Sequence, residues 1–98
     1  MSDTKIGICE LDLHLPGIAS LKEKRGIIKS MLNKMRKQFN VSNAEVAYQD
    51  VWQSSKIAIT TVSPSSQVIH KRMQTIIKWI EARYPDAHIM DEDIEIIS

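Results

Sequence analysis

Three features of this 98-residue chain predict an α+β sandwich, a four-stranded antiparallel sheet covered on one face by two helices. The first is a run near the start in which apolar and polar residues alternate, the pattern of a strand with one wet face. The second is a pair of later stretches whose apolar residues recur at helical spacing. The third is that these stretches match at an offset of 45: Ser20 with Ser65, Ile28 with Met73, Met31 with Ile76, Leu32 with Ile77, Met35 with Ile80 and Phe39 with Tyr84. Strand-helix-strand occurring twice, with right-handed crossovers, gives the ferredoxin-like βαββαβ order. The strands do not match at this offset, so the repeat speaks for architecture and not for duplication.

The first strand spans residues 5 to 15, with Cys9, Leu11, Leu13 and Leu15 pointing one way and Glu10, Asp12 and His14 the other. Pro16-Gly17 breaks it. Ser20 stands three residues before Glu23, the reciprocal capping arrangement that satisfies unpaired backbone donors, so a helix is expected from Leu21 to about Asn40. Its stripe is Ile28, Met31, Leu32, Met35 and Phe39. Ala44 to Tyr48 and Lys56 to Val62 read as two strands, and the segment Gln49 to Ser55 between them is too long for a tight hairpin turn. A second helix is expected to start near Ser63-Pro64-Ser65, with the stripe Ile69, Met73, Ile76, Ile77, Ile80 and Tyr84 closed by Pro85. A last strand runs from His88 to Ile96.

At this length residues 1–98 are expected to form a single domain. Hydrophobic residues at 43% and charged residues at 26% lie near globular averages, which excludes a disordered tail. The only cysteine, Cys9, cannot form an intrachain disulfide, which suits a reducing compartment and makes the cytoplasm the expected location. Met1 to Lys5 shows no charged segment leading into a long apolar one, and no stretch approaches a membrane span. A domain this small leaves a thin stability margin that self-association would widen, so a homo-oligomer, a dimer in the simplest case, is expected.

Net charge is only +1, so any electrostatic role rests on distribution. The first helix carries Lys22, Lys24, Arg25, Lys29, Lys34, Arg36 and Lys37 against the single acid Glu23, a net of +6. Lys22, Lys24, Arg25 and Lys29 are therefore candidates for phosphate or RNA contacts, since each phosphate neutralised releases counterions. The plainer reading is a solvated face built from good helix formers. Against it, a helix stabilised for its own sake carries acids at i,i+4 to its bases, and Glu23 alone is available. Acids collect on the first strand's wet face and in the last strand region, at Asp86, Asp91, Glu92, Asp93 and Glu95, so the open sheet face is expected to be acidic and to lack the base-stacking aromatics of sheet-type RNA binders. Such a charge-split molecule could also pair basic side to acidic side with copies of itself.

Gln49, Asp50, Trp52 and Gln53 form an interface candidate, because a tryptophan among polar side chains joins an apolar ring to one N–H donor; the alternative is a Trp52 folded back over the core. Gly26 inside the first helix costs about 1 kcal/mol relative to alanine, which either permits a close approach or reflects drift on an exposed face. His14, His70 and His88 show no metal-ligand spacing with Cys9, so no metal is expected. Neither a phosphate-binding glycine loop, a nucleophile motif nor any cofactor signature is visible, which points away from an enzyme. The Pro16-Gly17 turn looks like the ligand loop of ACT-type sensing domains, although Pro-Gly is also an ordinary strand-ending turn.

Two segments are distinctive together: Ser20-Leu21-Lys22-Glu23-Lys24-Arg25, and Phe39-Asn40-Val41-Ser42 continuing through Ala44-Glu45-Val46 to Gln49-Asp50 and Trp52-Gln53. With the Leu13-His14-Leu15-Pro16-Gly17 turn, they make the chain resemble, over nearly its whole length, the YlxP-like family of small bacterial proteins, a domain of unknown function. The resemblance implies a ferredoxin-like fold and supplies no catalytic residues. The family's gene neighbours in many bacteria include translation and ribosome-maturation factors, an associational pointer toward ribosomal work. Gly26 is a departure, standing where relatives more often carry another base. The expectation is a non-enzymatic binding protein with a ribosomal or other structured-RNA partner. The alternatives are an ACT-like homo-oligomeric sensor using Pro16 and Gly17, and a purely structural oligomer.

Overall fold

The computed structural model describes residues 3–98; Met1 and Ser2, the start of the segment read above for a leader, lie outside the described residues. The element order is β1 (Lys5–His14), α1 (Leu21–Gln38), β2 (Ser42–Ala47), β3 (Ser54–Ser63), α2 (Ser66–Arg83) and β4 (His88–Ile97). The strands form one antiparallel sheet in the order β2-β3-β1-β4, the ferredoxin-like arrangement that the repeat predicts. Both helices have 18 residues and their bounds differ by 45 at each end. Each starts where a serine hydroxyl accepts a backbone N–H, Ser20 from Glu23 at 3.1 Å and Ser65 from Val68 at 3.3 Å. The second cap is thus the last of the three residues expected there. Glu23 reaches back one residue further than the expected reciprocal box, accepting the N–H of Ala19 at 3.1 Å and not that of the cap Ser20.

The alternation of β1 decides the layering. Cys9, Leu11, Leu13 and Leu15 are buried, and they meet Ile57 and Ile59 of β3, Ile28, Met31, Leu32 and Met35 of α1, and Ile69, Met73, Ile76, Ile77 and Ile80 of α2 in a single core. Gly7 marks a close approach of α2 to the sheet: a Cβ there would sit 2.3 Å from Ile69 Cγ2, so only glycine fits without repacking. On the other face, Glu10 is opposite Asp93, Asp12 opposite Asp91 and Ile8 opposite Glu95. Paired residues share a face, so these acids do collect on the open side of the sheet, whereas Glu92, opposite the buried Leu11, lies on the helix-covered face and is an exception to the expectation. Burial also pushes the Cys9 thiol up to about 11, helped by the charges of Glu92, Asp93 and Glu10, so it is neutral and unreactive at ordinary pH.

Gly26 lies on the exposed side of α1, where an added Cβ meets nothing within 4 Å. Gly26→Ala is therefore expected to stabilise the chain by about 0.5 to 1 kcal/mol in a urea melt, because alanine loses less backbone entropy in a helix. A loss of stability would show that the bare backbone is needed for packing.

Candidate nucleic-acid interface

Of the four basic residues singled out in the sequence, three are exposed and one is not. Lys22, Arg25 and Lys29 face solvent. With Arg36, also exposed, they recur at helical spacing on the flank of α1 that faces β2, over about 21 Å at about 1.5 Å rise per residue. The direction of this flank is fixed by two contacts: Arg36, which also donates to the Asn33 carbonyl one turn back on α1, donates to the side-chain carbonyl of Asn43 on β2, and Arg25 pairs with Asp50 at 3.3 Å. Neither costs the strip much charge. Asn33 and Asn43 are neutral, and Asp50 is 91% exposed, where an ion pair is screened and weak. Lys34 and Lys37 are exposed on other sides of the helix.

Lys24 is a correction. It is fully buried. It stands four residues before Ile28 and seven before Met31, which puts it on the apolar stripe and not on the basic flank. Its ammonium pairs with Glu45 at 2.9 Å and donates toward three backbone carbonyls, those of Tyr48 at 2.7 Å, Ser54 at 3.2 Å and Gln49 at 3.3 Å. Glu45 also accepts the Ser55 hydroxyl at 2.6 Å. No donor is left for a phosphate. Lys24 instead ties the β2–β3 loop to α1, a role its spacing signals and its charge disguises.

That loop carries Gln49, Asp50, Trp52 and Gln53, and the structure sets them beside the Pro16-Gly17 turn. Gln53 Nε2 donates to the Pro16 carbonyl at 3.4 Å, and the Gln53 carbonyl accepts the Leu15 N–H at 2.9 Å and lies 3.1 Å from His14 Nδ1. Trp52 is 46% exposed and does not fold back over the core. Tyr48, expected from the sequence to end β2, lies just beyond it, is equally open and adopts a left-handed backbone, φ 64°. Gln49 and Asp50 are exposed, while Gln53 is half-buried by its bonds. On the other side of Pro16-Gly17, a cleft of about 480 Å³ opens between this turn and the α2–β4 connection, walled by Ile18, Ile27, Tyr84 and Pro85.

Among the described residues no helix is long and apolar enough to cross a membrane. No three His, Cys, Asp or Glu side chains among them come together to hold a metal ion. A basic, partly aromatic surface on an α+β sandwich is thus the chemistry this chain presents.

The chain belongs to the family described as protein of unknown function DUF503, whose model matches residues 6–94. It is 36% identical over 77 residues to the uncharacterized protein YlxP of Bacillus subtilis (strain 168), covering 79% of this chain and 84% of that one. Among solved structures it is similar to the de novo designed protein Foldit4, with a TM-score of 0.50, 9% identity and coverage of 96% of this chain and 97% of that chain. A weaker likeness, with a TM-score of 0.45 and 8% identity over 99% of this chain and 93% of the other, is to a variant of SnoaB, a cofactor-independent oxygenase from Streptomyces nogalater. The designed protein shows the fold alone, and the second likeness carries no argument.

Proposed function

We propose that this chain is a non-enzymatic binding protein that grips the phosphates of a structured, ribosomal-type RNA along the β2-facing flank of α1. The observation that carries this reading is the strip Lys22, Arg25, Lys29 and Arg36, four exposed cations on one flank whose only salt-bridge partner among the described residues is the exposed Asp50. An RNA backbone repays such a strip by releasing counterions, and that makes the reading testable through salt. With four contacts, ribosomal RNA affinity in filter binding is expected to fall by about a hundredfold between roughly 50 and 200 mM salt. Lys22→Gln with Arg25→Gln should bind more weakly and flatten the slope by about one unit per lost contact. Stability should move by no more than about 0.5 kcal/mol, because both side chains are exposed. Equal affinities for the two proteins, or no binding by either, would sink the proposal.

A second reading, an ACT-like sensor of a small ligand, has in its favour the cleft beside Pro16 and Gly17, whose volume suits a small molecule. Thermal stabilisation by a metabolite, with no effect of RNA, is the result that would select it.

A further inference from the structure

We infer that the β2–β3 loop is a preformed stacking platform for unpaired bases, set at the head of the phosphate strip, so that the RNA recognised is one whose folded backbone runs on into unpaired nucleotides. This rests on the phosphate reading above and specifies the kind of RNA that satisfies it. Two aromatic rings, Tyr48 at 47% and Trp52 at 46% exposure, stand open on one loop with Val51 between them at 44%. Exposing three large apolar side chains within five residues is costly unless something covers them. Aromatic rings beside cations are what unpaired nucleotides use, stacking through their π-faces while the backbone is neutralised.

The loop is held in place before any partner arrives. The Lys24 ammonium grips its carbonyls from beneath, the Val51 N–H closes a turn onto the Tyr48 carbonyl at 3.0 Å, and Gln53 is bonded on both its backbone and side chain to the β1 end. Tyr48 sits in left-handed backbone, which a bulky residue keeps only where its surroundings over-determine it. A platform ordered in advance loses little entropy when it binds. The charge beside it argues for nucleic acid over a protein partner: Arg25, within the strip, pairs with Asp50 two residues from Trp52, so phosphates on the strip lead directly onto the rings. The acids of the open sheet face lie on other strands, β1 and β4, and would repel a backbone from that side.

The test uses the full chain carrying Trp79→Phe, which leaves Trp52 as the only tryptophan and gives up an indole N–H that has no hydrogen-bond partner among the described residues. It is titrated with one RNA hairpin in three forms: blunt, with a short adenine overhang, and with an abasic overhang of equal length that has the phosphates but no bases. The adenine form is expected to quench Trp52 emission and to bind roughly 5- to 150-fold tighter than the abasic form. Trp52→Ala in the otherwise native chain should abolish that difference while leaving the salt slope and the melting temperature unchanged. Equal affinities for adenine and abasic overhangs, both salt-dependent, would overturn the platform and leave the phosphate strip standing. No salt-dependent binding of any form would overturn both. An RNA-free dimer in sedimentation that is lost in Trp52→Ala would assign the rings to a second copy of the chain and equally overturn the platform.

Discussion

Lys24→Met is expected to destabilise the chain by about 3 to 5 kcal/mol, although Lys22→Met two residues earlier should change stability by no more than about 0.5 kcal/mol. Methionine keeps the apolar body of the side chain and all but its last atom, so packing along the stripe with Ile28 and Met31 survives. What disappears is the charge and its donors. Glu45, only 15% exposed, is left without its counter-charge, and the carbonyls of Tyr48, Gln49 and Ser54 lose their shared donor. Breaking a buried pair by removing one partner is the costly case, because the stranded charge must be desolvated alone. For a domain whose total stability is about 5 to 15 kcal/mol this is a large share. Urea melts of the two variants make the comparison. A loss below about 1 kcal/mol for Lys24→Met would mean that the ammonium is not the tie described. Replacing Glu45 by glutamine in the same chain should recover part of the loss, since no charge is then stranded. Because Lys24 holds the loop, limited proteolysis near Tyr48 to Gln53 should also speed up in Lys24→Met and not in Lys22→Met.

The same residue shows where sequence reading stops. Both helices and β1 were legible because period and position agreed: alternate residues of β1 are buried, and the 45-residue offset recurs in both helix bounds. Lys24 was legible by position and hidden by type, since a lysine on an apolar stripe makes sense only once an inward-facing acid is known. Glu45 supplies that acid from β2, and its inward direction depends on a register no local pattern fixes. The ends of β2 and β3 were hidden for a related reason. Ser42, Asn43, Ser54 and Ser55 are polar and read as loop, yet all four lie in strands, and Ser55 is fully buried because its hydroxyl meets Glu45. The adjacency of Gln53 to Pro16, 37 residues away, follows only from the fold. Net charge by element identified α1 as the basic element, and only the packed structure divides its cations between the strip, the core and the remaining surface.

Leu13→Ala and Ile77→Ala are each expected to cost about 2 to 5 kcal/mol, and the pair measures how far the two β-α-β halves depend on each other. Leu13 lies on β1, 2% exposed, beside the point where the β1–β4 register shifts past Met90. Ile77 lies on α2, 5% exposed, in the same core. Each truncation removes buried methyl groups and leaves a cavity that neighbours fill only in part. Collapse is hard at Leu13 because β1 is central, hydrogen-bonded to β3 on one side without a break and to β4 on the other across the shift. At Ile77 the helix can shift against the sheet, so the cost there should lie toward the lower end of the range. If the two sites are independent the losses add to about 4 to 10 kcal/mol, which exceeds the stability of a small domain near the low end of the usual range of about 5 to 15 kcal/mol. The double variant is then expected to be unfolded at 25 °C by circular dichroism, while each single variant still melts cooperatively with an unchanged urea slope. A single loss below about 1 kcal/mol would mean that the residue does not belong to the shared core. A folded double variant would mean that β1 and α2 relax together around one cavity.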